Sequence, residues 1–529
     1  MNVIYINGDI LTMKEGQNSA EAVVEENGKI VFVGDKQKAF TYQRKDSRVI
    51  DLQGTCMLPG FIDGHSHFVS VANSLRLCDL SNAKSFADIV KLMKKFQEKH
   101  GLKENEWLIG TGYDHNFLKE KKHPDRYVLD EISQDTPIYI THISSHMGVA
   151  NSKALKLLDI KEDIIDPQGG RYGRDAKGKL SGYMEENAFL TFQKRVPMPD
   201  ISQLFDLMKQ AQDIYASYGI TTIQDGMVTR ELFALLKAAA DQGIFHQDII
   251  GYLDLAKAGD LEESCRPYFE DYHHHFKLGG YKVFLDGSPQ GKTAWMLTPY
   301  KGDHQCGYPA LQDDQLYQYI ETSVKQHHQI IAHCNGDAAA KQYVDQFEKV
   351  IEKYPKAQDI RAVMIHAQLV RKEELKRMKA IGMMPSFFVA HTWYWGDIHI
   401  ENFGYERACQ ISPVKTAVEE GLPYTFHQDS PVVPCDIMKS IWCAVNRKTR
   451  TGISIGKEEA VSVWDALKAN TIYGAYQYFE EARKGSIEEG KLADFVILDH
   501  NPLTVDTKDL ADIKVLCTIK EGNIIYQAK

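Results

Sequence analysis

Short apolar segments alternate with helical segments through most of this 529-residue chain. Strands that alternate with helices form parallel sheets, because each helix returns the chain to the same end of the sheet. Eight segments have the composition of such strands; they are MLPGFIDGHSH, GITTIQDG, DIIGYLDL, YKVFLDGS, QIIAHCNGD, AVMIHAQ, GMMPSFF and LPYTFHQDS. Eight is the number of strands in a closed barrel, so a TIM-type (β/α)8 barrel is predicted over residues 59–484.

The remaining parts of the chain do not show this alternation of strands and helices. Residues 1–58 and 485–529 are β-rich, with hairpin turns predicted at Asn7-Gly8 and Asn27-Gly28. We expect the two ends to share one small β-sandwich domain. Residues 80–200 contain glycine-rich, charged stretches such as DPQGGRYGRDAKGKLSG. They are predicted to form an insertion after the first strand, acting as a lid over the barrel mouth.

Composition narrows the classes of function. The formal charge of −10, from 62 basic and 72 acidic residues, argues against a nucleic-acid partner. The sequence has neither a continuous apolar run of 18 residues nor an N-terminal signal pattern, so no membrane association is expected. Nine cysteines without a C-x-x-C pair predict reduced thiols in the cytoplasm. The expected partner is a small-molecule substrate, and a homodimer is compatible with the sequence, which leaves the oligomeric state open.

Histidine and carboxylate side chains mark the ends of the predicted strands. His65 and His67 follow the first strand, and positions i and i+2 of a strand project the same way, so two imidazoles can share one metal ion. The residues at the other strand ends are Lys282, His333, His366 and Asp429. In a barrel all these ends open onto one mouth. Each residue alone is compatible with a helix cap or a core position, but together they predict a metal site.

Two segments of the chain resemble the amidohydrolase superfamily. PGFIDGHSHF is similar to its first-strand H-x-H signature, and GSIEEGKLADFVIL to its C-terminal segment. The segments KVFLDGSPQGKTA, HCNGDAA, HAQLV and HQDSPV resemble the branch that includes N-substituted formamide deformylase (amidohydrolase family 3). The resemblance extends from end to end of the chain, and that branch also carries a long insertion after the first strand.

The resemblance implies a ligand set. His65 and His67, with Asp429, would bind one divalent metal, and His333 and His366 a second; zinc is the expected ion, with iron and manganese as alternatives. Lys282 is the least certain member, since an ammonium group repels a cation. Carbamylation by CO₂ would turn it into a bridging carboxylate. If Lys282 is not carbamylated, it is an ordinary strand residue or ion-pair partner. The site then holds only one tightly bound metal ion.

The resemblance also implies the reaction. A metal-activated water would attack the carbonyl of an amide, N-formyl or cyclic amide substrate, and Asp429 would move its proton to the leaving nitrogen. The alternatives are a deaminase, ester or lactone hydrolysis, or a catalytically silent metal-binding homologue. Deaminases of the superfamily resemble each other in having a glutamate close to the fifth-strand histidine. The segment CNGDAAA after His333 lacks one, which disfavours deamination.

Five further residues are predicted to contact the substrate. Asp286 lies four residues after Lys282, on the same strand face. In HTWYWGDIH, His391 and Trp393 would line an apolar pocket. Two more, Asp114 and His146, lie in the insertion, in segments similar to those of the formamide deformylase branch. Local packing is the alternative for each.

Overall fold

The computed structural model describes residues 2–101, 106–197 and 200–529. The chain divides into two compact units, one formed by Met1–Val71 with Met208–Lys529 and the other by Ala72–Leu207. The predicted insertion, residues 80–200, lies inside the second unit. Within the described ranges, no helix has both the length and the apolar character needed to cross a membrane.

A parallel sheet of eight strands forms the centre of the first unit. Its strands are hydrogen-bonded to one another in chain order. They are Phe61–Ile62, Ile220–Val228, Asp248–Asp254, Phe276–Phe284, Gln329–Cys334, Val363–His366, Met384–Phe387 and Thr425–Phe426. All eight coincide with the apolar segments singled out in the sequence, and we number them one to eight in this order.

The first and eighth strands lie next to each other although they are the two ends of this order. The Asn470 side-chain amide donates to the carbonyl oxygens of Ile62 at 3.0 Å and Phe426 at 2.8 Å. A Cβ atom on Gly64 would lie 2.7 Å from the Phe426 carbonyl oxygen, so only glycine fits at this approach. The ends of strands one and eight therefore share one neighbourhood.

The predicted first strand is divided between two sheets. Cys56–Pro59 pairs with Phe495–Leu498, whereas only Phe61–Ile62 belongs to the parallel sheet. The amide of Gly60, between them, donates to the Asp494 carbonyl at 2.8 Å. His65 and His67 thus lie in the loop beyond the strand. Loop geometry, rather than strand alternation, brings them together.

Strands from both chain ends form a second sheet in the first unit. They are Asn2–Lys14, Gln17–Glu26, Lys29–Gly34, Arg48–Asp51, Cys56–Pro59, Phe495–Leu498, Val515–Lys520 and Asn523–Gln527. The hairpin at Asn27-Gly28 is present, with φ of +53° and +78° at its two residues. The hairpin predicted at Asn7-Gly8 was wrong. These residues lie within strand Asn2–Lys14, where the register shifts at an irregularity between Ile6 and Ile10.

The C-terminal segment also supplies a buried charge to this unit. Lys520 is 2% exposed, and its Nζ lies 3.0 Å from Asp248 Oδ2 and 3.1 Å from Asp494 Oδ2. We expect deletion of residues 485–529 to destabilise the chain by at least about 3–5 kcal/mol, because it removes one of the two strands that pair with Cys56–Pro59 and breaks a buried ion pair. Denaturant unfolding measures this effect, and an unchanged midpoint and slope would contradict the shared sheet.

The second unit contains a six-stranded sheet. In spatial order its strands are Gly170–Arg174, Leu180–Glu186, Met147–Ala150, Ile138–His142, Leu108–Tyr113 and Leu77–Asp79. The last three are parallel, and the others pair antiparallel. Its helices are Phe86–His100, Arg126–Asp130, Ser152–Leu157 and Asn187–Arg195. Helix Phe86–His100 begins at Ser85, whose hydroxyl accepts from the Asp88 amide, and ends at Gly101 in the left-handed conformation.

Helices connect the strands of the parallel sheet in the first unit. They are Arg230–Asp241, Leu255–Ala258, Glu262–Glu270, Asp313–Gln326, Asp337–Lys353, Lys372–Ala380, His391–Tyr394, Gly396–Phe403, Tyr405–Ala408 and Val414–Glu419. The remaining helices are Lys36–Ala39, Phe68–Ser74, Ile201–Ser217, Ile437–Asn446, Val463–Ala469 and Ile472–Gln477. Short 3-10 turns are Phe40–Tyr42, Gly259–Leu261, Pro355–Ile360, Lys457–Glu459 and Thr507–Asp512.

Candidate metal centre

His65, His67 and Asp429 meet where strands one and eight end. His67 Nε2 lies 3.3 Å and His65 Nε2 3.6 Å from Asp429 Oδ1. Two backbone bonds hold the loops together, from the Asp429 amide to the His65 carbonyl and from the His67 amide to the Ser430 carbonyl, at 3.2 and 2.9 Å. Among the described residues, Asp429 Oδ1 is buried without a hydrogen-bond partner. An orphaned carboxylate oxygen between two imidazoles is suited to a cation.

Two residues of the site have strained backbones. His366 has a φ of +73° and Asp429 a φ of +53°. Residues other than glycine avoid this left-handed region, and holding one there costs on the order of 1–3 kcal/mol. The surrounding loops hold both residues in this conformation, which sets the direction of their side chains.

A buried glutamine fixes the orientation of the His65 ring. Gln224 Nε2 donates to the Gly64 carbonyl at 3.2 Å and to the Tyr478 hydroxyl at 2.8 Å, and that hydroxyl donates to the Asp63 carbonyl at 2.6 Å. Both amide hydrogens are therefore used, and Gln224 Oε1 is left to accept a hydrogen bond from His65 Nδ1. The proton of neutral His65 is then on Nδ1, so the Nε2 lone pair faces Asp429.

Replacing Gln224 tests this orientation. We expect Gln224→Leu to weaken metal binding about 10–100-fold, the usual effect of losing the partner that orients a histidine ligand. Gln477→Leu is the matched control, since Gln477 also donates to the Gly64 carbonyl, at 2.8 Å, but its side-chain bonds do not include His65. Competition with a chromophoric chelator measures both affinities. Equal weakening in the two variants would show a general packing defect instead.

Lys282 reaches the same cluster from strand four. Its Nζ lies 3.1 Å from His65 Nε2, and the side chain is 1% exposed. No ion pair within 4.0 Å involves Lys282 in the described parts of the chain. Burial lowers the pKa of Lys282 to about 7, against the opposing effect of Asp429. A neutral amine is therefore well populated near neutral pH.

Three more imidazoles extend the cluster from strands five, six and eight. The ring centroids of His333 and His366 are 4.5 Å apart, and His366 Nδ1 lies 3.1 Å from His427 Nε2. His427 in turn lies 3.0 Å from the Ser386 hydroxyl through Nδ1. His333 Nδ1 is buried without a hydrogen-bond partner among the described residues and lies 3.4 Å from Asp286 Oδ1.

The protonation states suit metal ligands. Burial lowers the pKa of His65 and His366 well below the ordinary value, and that of His427 to about 3, so all three are neutral with a free lone pair. Burial alone would raise the pKa of Asp429, but the contacts with His67, His366 and His65 hold it well below its usual range. Neutral imidazoles around a carboxylate are the ionisation states that a divalent ion requires.

The distances also fit a metal. Zinc bonds to nitrogen and oxygen are about 2.0–2.2 Å long, so neighbouring ligand atoms of a tetrahedral site are about 3.3 Å apart. His67 Nε2 and His65 Nε2 lie 3.3 and 3.6 Å from Asp429 Oδ1, and the three ligand atoms are all within 4.8 Å of one another. The distances from the carboxylate to both imidazoles are thus close to the edge of a coordination shell.

The predicted substrate residues of the first unit have different surroundings. Asp286 is occupied by backbone amides, accepting from Asn335 at 3.0 Å, Gly336 at 2.7 Å and Trp295 at 3.0 Å. This arrangement favours a role in holding the loops beside His333. His391 is buried, and its Nδ1 lies 3.1 Å from His399 Nε2. The Trp393 ring packs under Lys439 Nζ and the Arg450 guanidinium, at 4.1 and 4.6 Å.

Asp114 and His146 belong to the second unit. His146 is exposed and its Nδ1 lies 3.0 Å from Glu186 Oε2. Asp114 lies beside His115 and His142. Substrate binding by any of the five residues stays a prediction.

Sequence reasoning missed Gln224 and did not assign a ligand or orienting role to His427. A signal was available for Gln224, because a buried parallel strand is normally a continuous apolar run and GITTIQDG is interrupted by this polar residue. His427 lies two residues before Asp429 and shares its strand end. The local sequence does not reveal the contact of Gln224 with His65 or the contact of His427 with His366.

Comparisons with known proteins identify the family. The amidohydrolase family model matches residues 48–526, and the chain belongs to this family, which confirms the resemblance in the sequence. YtcJ of Bacillus subtilis (strain 168) is 28% identical over 547 residues, with 100% of each chain covered. N-substituted formamide deformylase of Arthrobacter pascens is 25% identical, over 99% of this chain and 98% of that enzyme. An uncharacterized metal-dependent hydrolase from Pyrococcus furiosus is 26% identical with a TM-score of 0.77, over 95% of this chain and 100% of that structure.

Proposed function

We propose that this protein is a metal-dependent hydrolase that cleaves a carbon–nitrogen bond of an amide, N-formyl or cyclic amide substrate. The observation that carries the proposal is the Asp429 carboxylate, whose orphaned Oδ1 lies 3.3 and 3.6 Å from two imidazole nitrogens. Family membership supports a hydrolase. The similarity to a formamide deformylase and to a metal-dependent hydrolase supports this substrate class and the need for a metal.

The ligands would divide into two groups. His65, His67 and Asp429 would hold one ion, and His333 with His366 a second, with zinc the ion that best suits nitrogen and carboxylate ligands. Lys282 lies 3.1 Å from His65 Nε2, with no carboxylate of the described residues within 4.0 Å of its Nζ, and burial lowers its pKa to about 7, so it suits reaction with CO₂. That reaction gives a carbamate and releases one proton. The carbamate would supply the negative charge that the ammonium lacks.

In the proposed reaction the Asp429 side chain carries out the proton transfer. A divalent ion at the site lowers the pKa of water and polarises a carbonyl oxygen. Asp429 is ionised, because its histidine neighbours keep its pKa low, and it accepts a proton from the attacking water. It then donates that proton to the leaving nitrogen, so the C–N bond breaks with release of a neutral amine.

The architecture proposed from the sequence fits this role. We propose that the eight parallel strands close into a (β/α)8 barrel, supported by the Asn470 bonds that join strands one and eight. The segments 1–58 and 485–529 would form the composite β-domain beside the barrel of 59–484. Nine free thiols, all in the described ranges, support the expectation of a reducing compartment.

A substrate screen tests the proposed reaction. Metal-loaded protein is assayed with N-formyl amines, N-acyl amino acids, cyclic imides, lactones and amino-substituted rings, with chelated protein as control. We expect chelator-sensitive turnover of an amide, N-formyl or cyclic imide compound. Turnover confined to amino-substituted rings would indicate a deaminase, and turnover confined to lactones an esterase. Failure of every class would favour a catalytically silent homologue.

A further inference from the structure

A second group of metal-ligating side chains lies in the second unit, Ala72–Leu207. Asp114 and His115 directly follow strand Leu108–Tyr113, and His142 is the last residue of the adjacent parallel strand. The register pairs Tyr113 with His142, so the three side chains start from the same edge of the sheet. The carboxyl ends of neighbouring parallel strands are common places for ligands to bind.

The ligand atoms of this group are already close together. His115 Nδ1 lies 3.2 Å from His142 Nε2, and Asp114 Oδ1 lies 3.6 Å from His142 Nε2 and 3.9 Å from His115 Nδ1. These separations are near the edge of a tetrahedral zinc shell, about 3.3 Å. We propose that Asp114, His115 and His142 bind a divalent transition-metal ion such as Zn²⁺ through one carboxylate and two imidazoles, separately from the His65 cluster.

The charge and exposure of the group are suited to an ion. Burial lowers the pKa of His142, so its imidazole is neutral, and hydrogen bonds from Asn116 hold the pKa of Asp114 below its ordinary value. The side chains of Asp114 and His115 are 20% and 26% exposed, so solvent reaches both residues.

Neighbouring groups orient the two rings. Ligation through His142 Nε2 needs a proton on Nδ1, and the Ser144 hydroxyl, 2.9 Å from Nδ1, can accept it. The Ser144 amide also lies 3.1 Å from this nitrogen and donates to it, so metal binding replaces that bond with one to the hydroxyl. The His123 ring stacks on His115 with centroids 4.0 Å apart, and the Tyr113 hydroxyl lies 3.0 Å from His123 Nδ1.

Metal titration of the full-length protein tests the site. Zn²⁺ binding is measured by competition with a chromophoric chelator, and Co²⁺ binding by visible absorption. We expect His115→Gln to bind one ion fewer than wild type, and Asp114→Asn to bind that ion more than about tenfold more weakly, since even orienting neighbours contribute that much. His146→Gln is the matched control, because His146 is exposed and pairs with Glu186 outside the cluster. Its metal stoichiometry and affinity should equal those of wild type.

The same titration in a His65→Ala/His67→Ala background separates the two sites. The ion assigned to the second unit should persist there and disappear when His115→Gln is added, whether or not the His65 cluster binds metal. If His115→Gln and Asp114→Asn keep the wild-type stoichiometry and affinity in both backgrounds, the group is a hydrogen-bonded cluster only and the proposal fails. If His115→Gln loses the ion and its circular dichroism spectrum also changes, the loss reflects a folding defect and counts against the proposal. In that case Asp114→Asn decides, and loss of the ion with an unchanged spectrum in this variant supports the site.

Discussion

Asp429→Asn is expected to lower kcat by about 10²–10⁴ while the fold is retained, the usual contribution of a positioned general base. Asparagine keeps the shape of the side chain and one oxygen but cannot accept the proton. The contacts with His67, His366 and His65 keep the pKa of Asp429 well below its ordinary value, so wild-type Asp429 is a carboxylate at neutral pH. The measurement is steady-state turnover of the best substrate, with metal content determined on the same preparation.

Asp436→Asn is the matched control for this experiment. Asp436 is a partly buried aspartate seven residues further along, and it caps helix Ile437–Asn446 by accepting from the Lys439 amide at 2.9 Å. Asparagine caps helices equally well, so this variant should keep its activity. Loss of metal in Asp429→Asn would show that Asp429 acts chiefly as a ligand. Near-normal kcat with metal retained would remove Asp429 from the reaction.

Lys282 variants are expected to show the second large effect. Lys282→Arg keeps the positive charge and Lys282→Met keeps the length, but neither can react with CO₂ in place of the buried amine. Both should lose the second ion and at least about 10²-fold in activity, because a Lewis acid contributes several kcal/mol. Metal analysis, turnover and a carbamate signal from ¹³C-bicarbonate measure the three consequences in wild type and variants.

Lys277→Met is the control in the same strand. Its Nζ pairs with Glu480 at 2.8 Å, so the variant should lose stability rather than metal. If Lys282→Arg retains both ions and activity, Lys282 is an ordinary cation and the carbamate proposal is wrong. A carbamate signal that persists in Lys282→Met would place the modification elsewhere.

Much of the fold could be predicted because local sequence patterns indicate its strands and turns. The eight apolar segments coincide with the eight parallel strands, and Asn27-Gly28 forms its hairpin because both residues tolerate positive φ. Asn7-Gly8 has the same local signal, yet its flanking segments continue as one strand, Asn2–Lys14. Pairing with strands that are distant in the sequence keeps Asn7 and Gly8 within one strand. The Asn-Gly dipeptide alone does not indicate that pairing.

The proximity of the candidate site residues was predictable in part for the same reason. His65, His67 and Asp429 could be found because strand-end position and the H-x-H spacing are local features. Gln224 could not, since its role rests on contacts with His65 and Tyr478, at separations of 159 and 254 residues. The strained φ of Asp429 is likewise set by the loops around it, which the residue type does not reveal.

Anomalous X-ray diffraction from zinc-loaded crystals is the most direct test of whether the His65 cluster binds a divalent metal. We expect an anomalous peak about 2.0–2.2 Å from His65 Nε2, His67 Nε2 and an Asp429 oxygen. A second peak bounded by Lys282, His333 and His366 would show that the other proposed ligands also bind an ion. A fully loaded crystal with anomalous density elsewhere but none beside His65, His67 and Asp429 would show that this cluster is not a metal site.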